Sequence, residues 1–65
     1  MNEALWDVVA VNVDSRKVRM IAEGKSAKNA EAIVMMAVSR RGVEEEFFAE
    51  VEAGMYAEGD RWEPK

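Results

Sequence analysis

Residues 5–13 are apolar on both parities of an extended chain: Leu5, Val9, Val11 and Val13 on one, Trp6, Val8 and Ala10 on the other. Valine density of this kind suits a strand covered on both faces, hence a central one. Asp14, Ser15, Arg16 and Lys17 then supply turn chemistry. Beyond them Val18, Met20 and Ala22 alternate with Arg19, Ile21 and Glu23, which makes a second strand returning as the hairpin partner of the first.

Gly24 and Lys25 close that strand, and Ser26 stands where a helix N-cap belongs, its hydroxyl able to accept from a backbone N–H one turn inside. From 27 to 41 the residues Ala30, Ile33, Val34, Ala37 and Val38 recur at helical spacing, with Lys28, Glu31 and Ser39 off the stripe. Arg40 and Arg41 suit the negative end of the helix dipole, and Gly42 is placed for the left-handed residue after it. A third strand comes next, with Val43, Phe47, Ala49 and Val51 on one face and Glu44, Glu46, Phe48, Glu50 and Glu52 on the other. The helix-bearing connection implies a right-handed crossover with the third strand parallel to the second, leaving the first strand in the middle. Residues 54–62, with Glu58, Gly59 and Asp60 between Tyr56 and Trp62, read as a short irregular flap. The expectation is one α+β domain over residues 1–65: a three-stranded sheet in the order strand, strand, helix, strand, the first strand central, with one amphipathic helix on one face.

A 65-residue chain buries only about 60% of the surface its unfolded form exposes. It has no cysteine and no histidine, so neither a disulfide nor a soft metal site can staple it, and self-association is the remaining remedy. Hydrophobic residues at 49% and charged residues at 34% belong to a folding chain. The longest uncharged apolar stretch, 32–38, falls far short of the roughly 20 residues that cross a bilayer. The N-terminus lacks the pattern of an export signal, and a cytoplasmic location is expected.

Gly24, Lys25 and Ser26 imitate the end of a phosphate-binding loop, but Arg19 stands where the motif needs its first glycine, so a turn and a helix cap are expected. The ladder Glu44, Glu46, Glu50, Glu52 is too flat to cage a hard cation and reads as a solvated acidic contact face, with Phe48 as the oddity within it. Met20, Met35, Met36, Ile33 and Val34 suit either a plastic groove or, as expected, the core. Ser15, Ser26 and Ser39 have no recognisable base beside them, so no catalytic residue, cofactor or metal is expected.

Residues 1–42 hold seven bases against five acids, and residues 43–65 two against eight. The basic set Arg16, Lys17, Arg19, Arg40 and Arg41 offers contacts to a partner or to nucleic acid, although a net charge of −4 is a poor match to the latter. In its small size, acidity, lack of cysteine and histidine and compact element order the chain resembles accessory proteins of phages and prophages in general character, a likeness that rests on no motif and transfers no functional residue.

Three functions are carried forward. The first is a non-enzymatic interaction module that self-associates. The second is a nucleic-acid-binding accessory protein using the basic set, and the third an acidic inhibitor whose glutamate ladder mimics nucleic acid. If the helix takes the face bearing Val9, Val11, Val18, Met20, Phe47 and Val51, then Trp6, Val8, Ala10, Ile21 and Phe48 are left as the surface of a two-fold dimer. The alternative is that the flap, with Tyr56 and Trp62, folds back over that patch and leaves a monomer.

Overall fold

A computed structural model describes residues 4–40 and 45–63. Strand β1 (Trp6–Asn12), strand β2 (Val18–Lys25), helix α1 (Ala27–Arg40) and strand β3 (Glu46–Glu52) succeed one another in chain order. The sheet order is β2-β1-β3, and β1 is antiparallel to both neighbours, so β2 and β3 run parallel on either side of it. This is the expected α+β arrangement, and its cause is visible in β1: residues 7–11 are all buried, as only a central strand with both faces covered allows. The expected strand start at Val43 and the helix-end roles of Arg41 and Gly42 lie outside the described residues.

Local chemistry sets each connection. In the β1–β2 turn the Asn12 side-chain oxygen accepts the N–H groups of Asp14 and Ser15, both at 2.9 Å, and the Asn12 carbonyl accepts from Arg16 N–H at 2.9 Å. Closing the loop holds Arg16 at a φ of 63°. Ser26 caps α1 as expected, its Oγ accepting from Asn29 N–H at 3.3 Å.

Two register shifts interrupt the β1–β2 ladder. Val9 pairs with Met20 but Val8 pairs with Ala22, so Ile21 is an extra residue on β2; Trp6 then pairs with Lys25, leaving a second extra residue beside Gly24, whose φ is 66°.

The two sheet faces are covered differently from expectation. Val9, Val11, Val18 and Val51 form a core cluster packed by Met20, Phe47, Ala49, Tyr56 and Trp62, so the C-terminal flap covers this face. Trp62 meets Phe47 edge to face at 5.5 Å and stacks on Tyr56 at 5.2 Å. Helix α1 takes the other face. Val8 and Ala10 there are wholly buried, as is Ala30 on the helix, and Ile21 lines a recess with Ile33, Met36 and Ala37. The expected assignment of faces is therefore reversed.

The flap also closes an edge. Gly59 N–H donates to the Val18 carbonyl and Val18 N–H to the Asp60 carbonyl, each at 2.8 Å, and Trp62 N–H donates to the Arg16 carbonyl at 2.7 Å. These bonds occupy the outer side of β2 at its start, satisfying groups an edge strand would otherwise present to another chain.

Candidate functional site

The expected self-association surface is largely covered within one chain. Val8 and Ala10 are wholly buried within one chain, and Trp6, Ile21 and Phe48 are half-buried. The reason is that α1 lies over them. Phe48 is paired with Ala10, the smallest side chain of β1, which leaves room for its ring on the helix side of the sheet. That placement accounts for an aromatic residue within the glutamate ladder.

The basic and acidic sets meet each other. Arg19 on β2 reaches over β1 to Glu46 on β3 with two bonds, Nη2 to Oε1 at 2.9 Å and Nε to Oε2 at 3.2 Å. This fork pairing is the geometry a guanidinium and a carboxylate prefer. The hydrogen bond from Arg19 holds the Glu46 carboxyl below its ordinary range against a smaller opposing effect of burial, and the same bond raises the Arg19 guanidinium. Glu58, whose Oε1 accepts Met20 N–H at 2.8 Å, adds a second negative charge near Arg19. Arg16 and Lys17 are exposed in the hairpin turn and Arg40 ends α1, while Arg41 lies outside the described residues. Of the basic set the sequence offered, Arg19 is thus engaged by carboxylates of the chain itself.

Register puts Glu46, Glu50 and Glu52 opposite Asn12, Val8 and Trp6, on one face of the edge strand; Glu44 lies outside the described residues. Among the described residues no three Asp or Glu side chains converge as a cation cage would require. The imitation phosphate loop is filled from within. Gly24 N–H donates to Asp7 Oδ1 at 2.9 Å, so a carboxylate of the chain itself occupies the donor that a bound anion would need.

Met35 and Met36, which the sequence allows as a plastic groove but which were expected in the core, lie exposed on α1 instead. Met35, Met36 and Val38 are 67%, 52% and 50% exposed. Ile33, Val34 and Ala37 are only half-buried, and Ala30 alone among the described helix residues is buried. Beside them Ile21, Ile33, Met36, Ala37 and Arg40 line a shallow recess of about 220 Å³, mostly apolar and with Arg40 as its charged lining residue. The signal was present in the sequence: nine of the fourteen helix residues are apolar. Neighbouring Met35 and Met36 also project about 100° apart on a 3.6-residue helix and cannot share one core-facing stripe.

No family model, curated protein or solved structure matches the chain. Among the described residues no helix is long and apolar enough to cross a membrane.

Proposed function

We propose that the chain is a non-enzymatic protein-interaction module whose contact surface is the outer side of α1 with the recess beside it. The observation that carries this reading is the exposure of Met35, Met36 and Val38 on a helix with apolar residues all round. Large apolar side chains left exposed on a folded domain are the kind of surface that marks a contact. Methionine suits the role because its unbranched, polarisable side chain repacks against varied partners. The hydroxyl groups available for chemistry have structural work: Ser26 Oγ caps α1, Ser15 Oγ accepts from Lys17 N–H at 3.3 Å, and Ser39 Oγ donates to the Met36 carbonyl at 3.0 Å.

The test is site-specific photocrosslinking in host cells, with the reactive group at Met35 in one variant and at Glu63, on the flap, in another. Discrete protein adducts from position 35 and none from 63 support the reading. No adduct from 35, or equal labelling from both, overturns it.

A further inference from the structure

Strand β3 lies at the open side of the sheet, and its register shows which backbone groups face outward. At its two ends Ala53 N–H donates to the Leu5 carbonyl at 3.0 Å and Val13 N–H to the Glu45 carbonyl at 2.8 Å, and the β1–β3 pairing between them has no shift. Residues that bond a given neighbour alternate along an antiparallel strand, so Phe47, Ala49 and Val51 turn their backbone groups to β1. Phe48 and Glu50 therefore aim their N–H and C=O groups away from the sheet, and Glu52 its N–H, while the Glu52 carbonyl accepts Met55 N–H at 3.0 Å. Among the described residues no segment outside the sheet bonds the backbone of Phe48 or Glu50.

The two edges of the sheet are treated differently. Flap residues Gly59, Asp60 and Trp62 close the outer side of β2 at its start. Strand β3 has seven residues, no proline and no bulge, and among the described residues nothing pairs with its outer side. Those are the usual devices for retiring an edge, and charge is the one that remains. The charge here has a single sign. Glu50 and Glu52 are exposed on the same face as Phe48, and among the described residues neither is in an ion pair. Pairing two copies of β3 about Ala49 would set Glu46 against the other copy's Glu52, which like charges disfavour. An edge guarded in this way rejects its own kind and stays open to a strand of opposite charge.

We propose that the edge from Phe48 to Glu52 takes an extended segment of a partner protein, with basic residues alternating with β-branched ones, as an added strand. The segment is extended because the outward donors and acceptors recur at every second residue, a spacing that a strand matches. It is basic on one side because its residues on that side lie opposite Phe48, Glu50 and Glu52. Opposite charges facing each other across strands attract, and the ring of Phe48 favours a cation over it. It is apolar on the other side because there it continues the surface of half-buried Phe47 and Ala49 beside the core cluster. A net charge of −4 speeds the approach of such a segment. No residue of α1 enters this argument, so it stands or falls apart from the contact surface assigned there.

The test titrates the full chain at low salt with two blocked peptides of seven residues and identical composition. One alternates lysine with valine, beginning and ending on lysine; the other has its lysines in one block and its valines in the next. Binding is read by calorimetry, and the site by amide hydrogen exchange at saturation. The expected result is exchange at Phe48 and Glu50 slowed at least tenfold by the alternating peptide, and at least tenfold weaker binding of the block peptide. Reversing the charges in the double variant Glu50→Lys with Glu52→Lys should also weaken the alternating peptide at least tenfold. Glu50→Pro, which removes one outward N–H and which an edge strand tolerates, should weaken it comparably. No binding at 1 mM peptide, equal binding of the two peptides, or protection confined to residues outside β3 overturns the proposal. If Glu50→Pro unfolds, the double variant decides, and unchanged affinity there overturns it as well.

Discussion

Asp7 and Gly24 are joined by a hydrogen bond from the Gly24 N–H to Asp7 Oδ1 at 2.9 Å, across the irregular end of the β1–β2 ladder. The other carboxylate oxygen accepts Gly54 N–H at 3.0 Å, just beyond β3. One buried side chain, only 3% exposed, therefore ties both flanking strands to the central one where each leaves the sheet. Both donors belong to glycines of positive φ, 66° and 86°, conformations that L side chains resist. Asp7→Ala is expected to cost about 2–4 kcal/mol: two hydrogen bonds to a carboxylate at roughly 1.5–3 each would give about 3–6, and water reaching the exposed Gly24 and Gly54 donors offsets part of it. Asp7→Asn keeps the shape but turns an NH₂ toward one donor N–H, so it should recover at most half of that loss. Urea unfolding of the two variants measures both; a cost below about 0.5 kcal/mol for Asp7→Ala would contradict the role given to the carboxylate.

The pair Arg19 and Glu46 sets a pH dependence whose sign can be worked out. Glu46 has a folded value lowered by the hydrogen bond from Arg19, while Arg19 stays charged throughout the accessible range. A lowered carboxylate contributes stability that is complete above its unfolded value of about 4.3 and is lost as pH falls through the lower folded value. The side chains are 55% and 29% exposed, so solvent and salt reduce the effect to about 0.2–1 kcal/mol. Comparing urea midpoints at pH 7 and pH 3 should show that Glu46→Gln loses less stability on acidification than the wild type. High salt should narrow the gap; an unchanged pH response in the variant would refute the assignment.

Arg16 carries strain that glycine would relieve. A left-handed φ of 63° costs a non-glycine residue about 1–2 kcal/mol, partly offset by the greater chain entropy glycine loses on folding. Arg16→Gly is therefore expected to stabilise by about 0.5–1 kcal/mol, and Arg16→Ala, which keeps the Cβ, by almost nothing. Thermal melts of the two variants distinguish relief of backbone strain from loss of the arginine side chain, since only the second is common to both.

Strand order was legible because residues 8–11 are apolar on both parities, and no edge strand has reason to be. Ser26 and the turn at Asn12 were equally open to local reasoning, since each satisfies backbone donors within three residues. The faces were not legible, for two reasons. Ile21 is an extra residue in β2, so strict alternation from Val18 onward assigns the later residues of that strand to the wrong side. The handedness of a crossover fixes which side of the sheet a helix takes, but not which parity of side chains points to that side. With both faces apolar, the choice fell to the aromatic match of Phe47 with Trp62, a contact fifteen residues apart in sequence that periodicity does not register. Met35 and Met36 are legible in the sequence as groove or core alike, because methionine suits both, and it is the structure that leaves them exposed.

Trp62 is the residue through which the flap holds its face. Its ring packs on Phe47 and Tyr56, its backbone N–H bonds the Arg16 carbonyl, and Glu63 N–H donates to the Tyr56 hydroxyl at 3.3 Å behind it. Trp62→Ala removes two aromatic pairs worth about 0.5–1.5 kcal/mol each beyond their area, together with part of the transfer free energy of a half-buried indole. A loss of about 2–4 kcal/mol is expected, which for a domain this small is a large share of its stability. Trp62→Phe should restore more than half. The consequence for the edge comes from the same geometry. Once Trp62 no longer anchors the flap, the bonds of Gly59 and Asp60 to Val18 have no packing behind them, and β2 presents unpaired backbone groups beside an uncovered Val18 and Phe47. Amide hydrogen exchange should therefore quicken at Val18 in Trp62→Ala while remaining slow at Val9 and Val11, whose partners are β2 and β3 themselves. Uniform quickening across the whole sheet would instead show that the flap and the sheet unfold as one unit, and that the edge has no separate protection to lose.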